Sequence, residues 1–363
     1  MIPYLILILL IALYGLLLQP SAGRQRRKMF LWGSFFLMLI LSCLRDVSVG
    51  ADTETYTTIF KYIDVYNFET SRYEKGFLYF LKIIHSVSDN PTFLFFVVSF
   101  ICIGTVCLVV NKYSNSPLLS ILLYITLKHY YFQMTGMRQA LAMAFIELAF
   151  LNVDKEQTKR SVIRAILLIL LACSIHNMSI VAVIPFLLFI WPGTYWKKLQ
   201  FPMHVLRITI IASFVCFVFY GLSMRVVGLV VPQYASYFSG TWSGSNYSAA
   251  LFRMLIQFVF IFVGALYLKN YELDKADTFF LIMMALSVIT GTLSMKMTIW
   301  GRLTSTFSIY TALWVPVFTS VPMKENSRII LKGSIFLFAM MYMIITFIYR
   351  PEWDGVVPYL LMK

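Results

Sequence analysis

Apolar residues in this chain arrive in long blocks, separated by short charged or Gly/Pro-containing stretches. Blocks of about 17 to 22 residues match roughly 30 Å of hydrocarbon crossed at 1.5 Å per helical residue. The pattern predicts about twelve spans, at 2–18, 29–44, 92–111, 117–133, 137–153, 162–174, 177–191, 206–222, 249–268, 278–295, 303–320 and 333–349. An unclosed sheet in lipid would leave backbone groups unpaired, so the fold class is all-α, a polytopic integral membrane protein. Gly76 to Val87 is too short and too amphipathic to cross and is expected at the interface. No internal repeat or linker divides the chain, so 1–363 is read as one membrane domain with outward loops at 45–90 and 223–250.

Composition agrees with the pattern: 60% hydrophobic, 17% aromatic and only 13% charged residues, with a formal charge of +14. The bases are scattered over many short loops, which fits anionic lipid and argues against nucleic acid. Ile2 to Leu18 has no basic residues ahead of it and no small-residue cleavage pattern behind it, so it is expected to be retained. The five cysteines, Cys43, Cys102, Cys107, Cys173 and Cys216, lie in or at the ends of apolar runs. An odd count in such places points to free thiols.

Lys and Arg concentrate in the loops after the first, third, fifth, seventh, ninth and eleventh spans, so these loops are expected to be cytoplasmic and both termini extracytoplasmic. Three arginines run against that bias: Arg138, Arg253 and Arg302 open spans that enter from outside. His176 opens a fourth. Helix N-termini carry positive dipole ends and free N–H groups, and added guanidinium groups suit them to a phosphate or pyrophosphate. Snorkelling at the boundary gives the same pattern.

The longest charged loop begins at Leu44 to Tyr56, with Arg45, Asp46, Asp52 and Glu54 close together. Asp52 and Glu54 form a D-x-E that resembles a metal site, while Glu74 ends the loop. A solvated charge is the plain reading of each. Glu147, nine residues past Arg138, lies deep in its span and on the opposite side, which favours a bond to a neighbouring helix. Tyr234 to Ser248 mixes aromatic and hydroxyl residues, as a carbohydrate surface or an aromatic belt would. There is no P-loop, G-x-G-x-x-G, G-x-S-x-G or H-E-x-x-H.

In order, Arg45, Val49-Gly50-Ala51-Asp52-Thr53, Tyr56, Glu74-x-Gly76-Phe77, Met137-Arg138-Gln139-x-Leu141-Ala142 and His176-x-x-Ser179 resemble the EpsG-type branch of Wzy-like polysaccharide polymerases. The resemblance covers residues 30 to 190 by motif, and the rest by hydropathy and length. It implies a GT-C-like membrane glycosyltransferase in the bacterial inner membrane. Such an enzyme joins undecaprenyl-pyrophosphate-linked glycan donor and acceptor on the outer face, with no cofactor and no metal. A chain-length regulator and a flippase are the expected partners. The resemblance further implies Asp52 or Glu74 as general base. Arg45, Arg138 and His176 would bind pyrophosphate, supported by Arg253 and Arg302, with Tyr56 as a sugar contact.

Two further readings use the same features. An O-antigen-ligase-type transferase would use the same donor, and a flippase would need charged groups at several depths. A membrane acyltransferase would need its histidine on the cytoplasmic side, opposite to the side expected for His176.

Overall fold

The computed structural model describes residues 1–153, 158–190, 200–222, 225, 247–298 and 300–362. In chain order the helices are α1 (Ile2–Leu18), α2 (Arg24–Cys43), α3 (Thr53–Lys61), α4 (Lys75–His85), α5 (Pro91–Tyr113), α6 (Pro117–Thr126), α7 (His129–Thr135) and α8 (Met137–Asn152). There follow α9 (Lys159–Ile175), α10 (Val183–Ile190), α11 (Phe201–Val218), α12 (Tyr247–Leu268), α13 (Lys275–Ser294), α14 (Trp300–Ser308), α15 (Thr311–Thr319) and α16 (Glu325–Tyr349). Among the described residues there is no strand, only an isolated bridge between Arg45 and Leu361.

Six of these helices are long and apolar enough to cross a membrane: α1 with its following turn, α5, α11, α12, α13 and α16. Of the other six expected spans, three are interrupted for local reasons, while 29–44, 137–153 and 162–174 are covered by the continuous helices α2, α8 and α9. The block 117–133 breaks at Lys128, whose φ of 73° interrupts the right-handed helix between α6 and α7. The block 303–320 divides between α14 and α15, and the 177–191 block opens as a 3-10 turn, Asn177–Ala182. Helix α2 begins with Arg-Gln-Arg-Arg-Lys, and α8 and α9 have 16 and 17 residues. The lipid-compatible face survives: α9 exposes Ile163, Ile166, Leu167, Leu170 and Leu171 on the spacing of one helical side.

The chain forms two compact units, Met1–Ile190 with Lys324–Lys363, and Trp191–Met323. In the first, α2 packs on α5, α8 on both α5 and α9, and α6 on α1 and α16. In the second, α13 is central, packed by α11, α12 and α14. There α12 and α15 approach closely because Gly264 leaves room for Trp314, whose indole N–H donates to the Phe260 carbonyl at 3.0 Å. The buried Thr311 hydroxyl bonds Gln257 at 2.6 Å, so the polar groups of this interface are paired.

The amphipathic segment expected from Gly76 to Val87 forms a helix, α4, over Lys75–His85. It buries Phe77, Leu78, Leu81 and Ile84 and exposes Tyr79 and Ile83. The 45–90 loop also holds α3, which hydropathy alone does not reveal. The 223–250 loop, including most of Tyr234 to Ser248, falls almost wholly outside the described residues.

Candidate active site

Two arms of the 45–90 loop are docked by glycines onto helix ends of the first unit. In the first arm, Gly50 has φ +108°, and a Cβ there would lie 2.2 Å from the Met134 carbonyl oxygen. That close approach lets the Thr53 hydroxyl reach the carbonyls of Met134, at 2.7 Å, and Val49, at 2.9 Å. Met134 lies two residues before Gly136, the N-cap of α8. In the second arm, a Cβ on Gly76 would lie 2.4 Å from the Ser174 carbonyl oxygen, so α4 begins hard against the end of α9.

Each arm places a carboxylate at a helix N-cap, Asp52 before α3 and Glu74 before α4, and neither side chain caps its helix. Glu74 is turned to other partners. Its Oε2 forms an ion pair with Arg138 Nη1, both side chains being 12% exposed. Its Oε1 accepts the Asn177 backbone N–H at 2.9 Å. The sequence reads locally toward this result: Gly76 sets the distance to α9, and the residue after His176 presents its amide. Arg138 also lies over the Tyr73 ring, 5.0 Å from the centroid, and its buried Nε meets no acceptor among the described residues. The N-cap of α8 is Gly136, which has no side chain to bond the first turn that carries Arg138. A guanidinium with an unused donor beside an uncapped helix start is a place where an anion can be bound.

Beyond Tyr73 lies an open cleft of about 450 Å³, lined by Glu54, Thr55, Thr58, Ile59, Tyr66, Arg72 and Tyr73. Tyr73 thus borders both the cleft and the ion pair.

The first arm is held from its other side by the C-terminal segment. The amides of Asp46, Gly50 and Ala51 donate to the carbonyls of Leu360, Gly355 and Asp354 at 2.9, 2.7 and 3.1 Å. Asp354 is itself fixed by Lys128 Nζ at 2.6 Å, and Lys128 lies within 5.8 Å of the ring centroids of Tyr342, Phe347 and Trp353. The left-handed Lys128 that breaks the expected span is therefore the residue that anchors the tail.

Residues 28–361 match the EpsG family. The chain belongs to the EpsG family. No curated protein and no solved structure matches it. The match reaches well past the 30–190 stretch that the motifs cover, through the second unit and into the tail that holds Gly50. EpsG membership carries a coarse function, polysaccharide polymerisation of glycosyltransferase-like type.

On this EpsG-family chain the remaining expected residues fall into different settings. Asp52 is exposed. Tyr56 is 5% exposed, its ring edge-on to Phe77 at 5.4 Å and to Tyr73 at 6.2 Å, so it backs Tyr73 from inside. His176 is buried at the C-cap of α9, immediately before the amide that Glu74 accepts. Arg45 does not join Glu74. Its guanidinium is fully buried over Phe95, 3.9 Å from the centroid, and donates to Ser42. Burial lowers its pKa to about 10, so it keeps its charge at neutral pH. Glu147 is buried in α8. Arg253 and Arg302 belong to the second unit, on helices that both meet the same stretch of α13, through Met254 against Gly291 and Thr304 against Thr290. Among the described residues, no three His, Cys, Asp or Glu side chains gather as a metal site.

Sequence reasoning missed the tail, Lys128, Asp354, Tyr73 and Asn177. Asn177 acts through its backbone, and the tail has no periodicity to betray its pairing with the first arm.

Proposed function

We propose that this chain joins lipid-pyrophosphate-linked oligosaccharide repeat units by metal-independent glycosyl transfer, undecaprenyl pyrophosphate being the leaving group, on the outer face of the bacterial inner membrane. The observation that carries the reading is the Glu74–Arg138 pair, with the Arg138 Nε donor, beside the start of α8, meeting no acceptor among the described residues. In the resting site Arg138 holds Glu74. An arriving pyrophosphate competes for the guanidinium and the α8 amides, and the carboxylate is released as it binds. The acceptor hydroxyl then attacks the donor anomeric carbon while its proton passes to Glu74. The bond from that carbon to the pyrophosphate oxygen breaks, and its electron pair leaves with the lipid pyrophosphate.

Glu74 is thus the proposed base, with the exposed Asp52 at the start of α3 as the second carboxylate. His176, buried immediately before Asn177, positions that amide through the chain, and Tyr73 takes the sugar-contact role, backed by Tyr56. Membrane lipid surrounds the helices, and a flippase and a chain-length regulator are the partners that this reaction needs before and during elongation.

The test uses the purified full chain with a lipid-linked repeat unit, a chelator, and no nucleotide. The expected result is a ladder of glycan lengths on a gel. No ladder from the native chain, or a single shifted band only when lipid A core is added, overturns the reading.

A further inference from the structure

The cleft beside Tyr73 is not used by the ion-pair chemistry, and its composition is specific. One wall comes from the exposed side of α3, with Glu54, Thr55 and Thr58 spaced so that 54, 55 and 58 share a helical face. The opposite wall is the turn from Tyr66 to Tyr73. That turn is built by its own polar groups: Asn67 Oδ1 accepts the amides of Glu69 and Thr70 at 2.9 and 3.3 Å. Ser71 Oγ accepts the Tyr73 amide at 3.0 Å and bonds the Tyr66 hydroxyl at 3.5 Å. These bonds set two tyrosines in one wall, as local Asx and Ser turns do. Arg72 reaches back to the Tyr73 hydroxyl at 2.8 Å, with its guanidinium 5.0 Å from the ring centroid.

Three features decide what chemistry such a cleft accepts. Hydroxyl and carboxylate acceptors on one wall, facing aromatic rings on the other, match a ligand with polar edges and C–H faces. The single arginine is engaged with Tyr73, and Glu54 adds a negative charge, so the cleft is a poor anion site. Its open form admits a chain that continues beyond it.

We propose that this cleft binds the distal sugars of the acceptor glycan and lays its terminal hydroxyl toward Glu74, with Tyr73 as the wall shared by acceptor cleft and ion pair. The assignment rests on the polymerase reading for the identity of the glycan. Binding affinity and specificity for the growing chain would then be set by Tyr66, Thr58 and Arg72, none of which touches the Glu74–Arg138 pair.

The experiment measures binding of lipid-free oligosaccharide fragments, cut from the polysaccharide of the producing cell, to the full-length protein in detergent. The expected result is saturable binding by the native chain, weakened about fivefold or more in Tyr66→Ala through loss of one stacking face. Thr58→Val and Arg72→Ala are expected to weaken it less, and Glu74→Gln to leave it within about threefold, since it lies beyond the cleft. Tyr66, Thr58 and Arg72 are at or near the surface, Glu74 is largely buried, and thermal melting checks that each variant is folded. Equal affinity in native protein and Tyr66→Ala overturns the assignment, as does absence of binding by the native chain. Displacement of the fragments by inorganic pyrophosphate also overturns it, since that marks an anion site. Fragments that bind in the cleft while lipid-linked units give no ladder would instead sink the polymerase reading and leave the cleft assignment standing.

Discussion

The two arms of the 45–90 loop are built alike and differ in what they do with their acids. Each uses a glycine to touch a backbone carbonyl, Gly50 at Met134 and Gly76 at Ser174, and each puts a carboxylate at the N-cap of a short helix. In the first arm the bonds that dock it onto Met134 and the tail are made by the backbone and by Thr53, and Asp52 is left exposed. In the second arm the acid itself is engaged, by a guanidinium and an amide. The difference separates residues whose bonds fix the loop from those that the proposed mechanism calls on. A family motif contains both kinds, and sequence order does not distinguish them.

The largest expected effect comes from the acting side of the second arm. Arg138→Ala should lower the polymerisation rate by about 10³, the scale of removing a donor that meets developing charge. Folding should survive well enough for the protein to be purified and assayed with lipid-linked repeat units. Near-native rates would break the comparison at once.

Next comes the glycine of the fixing arm. Gly50→Val places a branched side chain at φ +108° and into the Met134 carbonyl, which should destabilise the first unit by about 3 kcal/mol or more. Thermal unfolding in detergent would read this as a large fall in Tm, with little soluble product.

Lys128→Met should follow, because it leaves Asp354 without its cation and loosens the tail that holds Gly50 and Ala51. Breaking one side of a part-buried pair is worth about 2 to 3 kcal/mol. If the tail only fixes the arm, Tm drops and the rate per folded molecule changes little. A much lower rate at unchanged Tm would move Lys128 to the acting group.

The smallest effect is Thr53→Val, which removes one hydroxyl shared between two carbonyls and should cost about 1 kcal/mol of stability. Its rate per folded molecule should equal that of the native chain.

Much of this division was out of reach of the sequence, for identifiable reasons. The helical class, the amphipathic α4 and the residues around Glu74, Gly76 and Arg138 were legible because hydropathy periods and short-range motifs express local physics. The breaks at Lys128 and between α14 and α15 were not, since a lysine in an otherwise apolar block carries no mark of left-handed backbone. The tail was not legible either. Leu44 and Met362 are joined by a hydrogen bond across nearly the whole chain, and no period connects them. The family resemblance implied a pyrophosphate role for Arg45; the structure sets its guanidinium over Phe95 of α5 and against Ser42, a packing that motif order does not express.

The comparison of the two acids is the most direct test of the account. Glu74→Gln and Asp52→Asn, each an isosteric loss of charge, would be purified and their rates of ladder formation compared at equal folded protein. The account predicts a loss of about 10² or more for Glu74→Gln and of less than about tenfold for Asp52→Asn. A reversed order, with Asp52→Asn the dead variant and Glu74→Gln close to native, would contradict it.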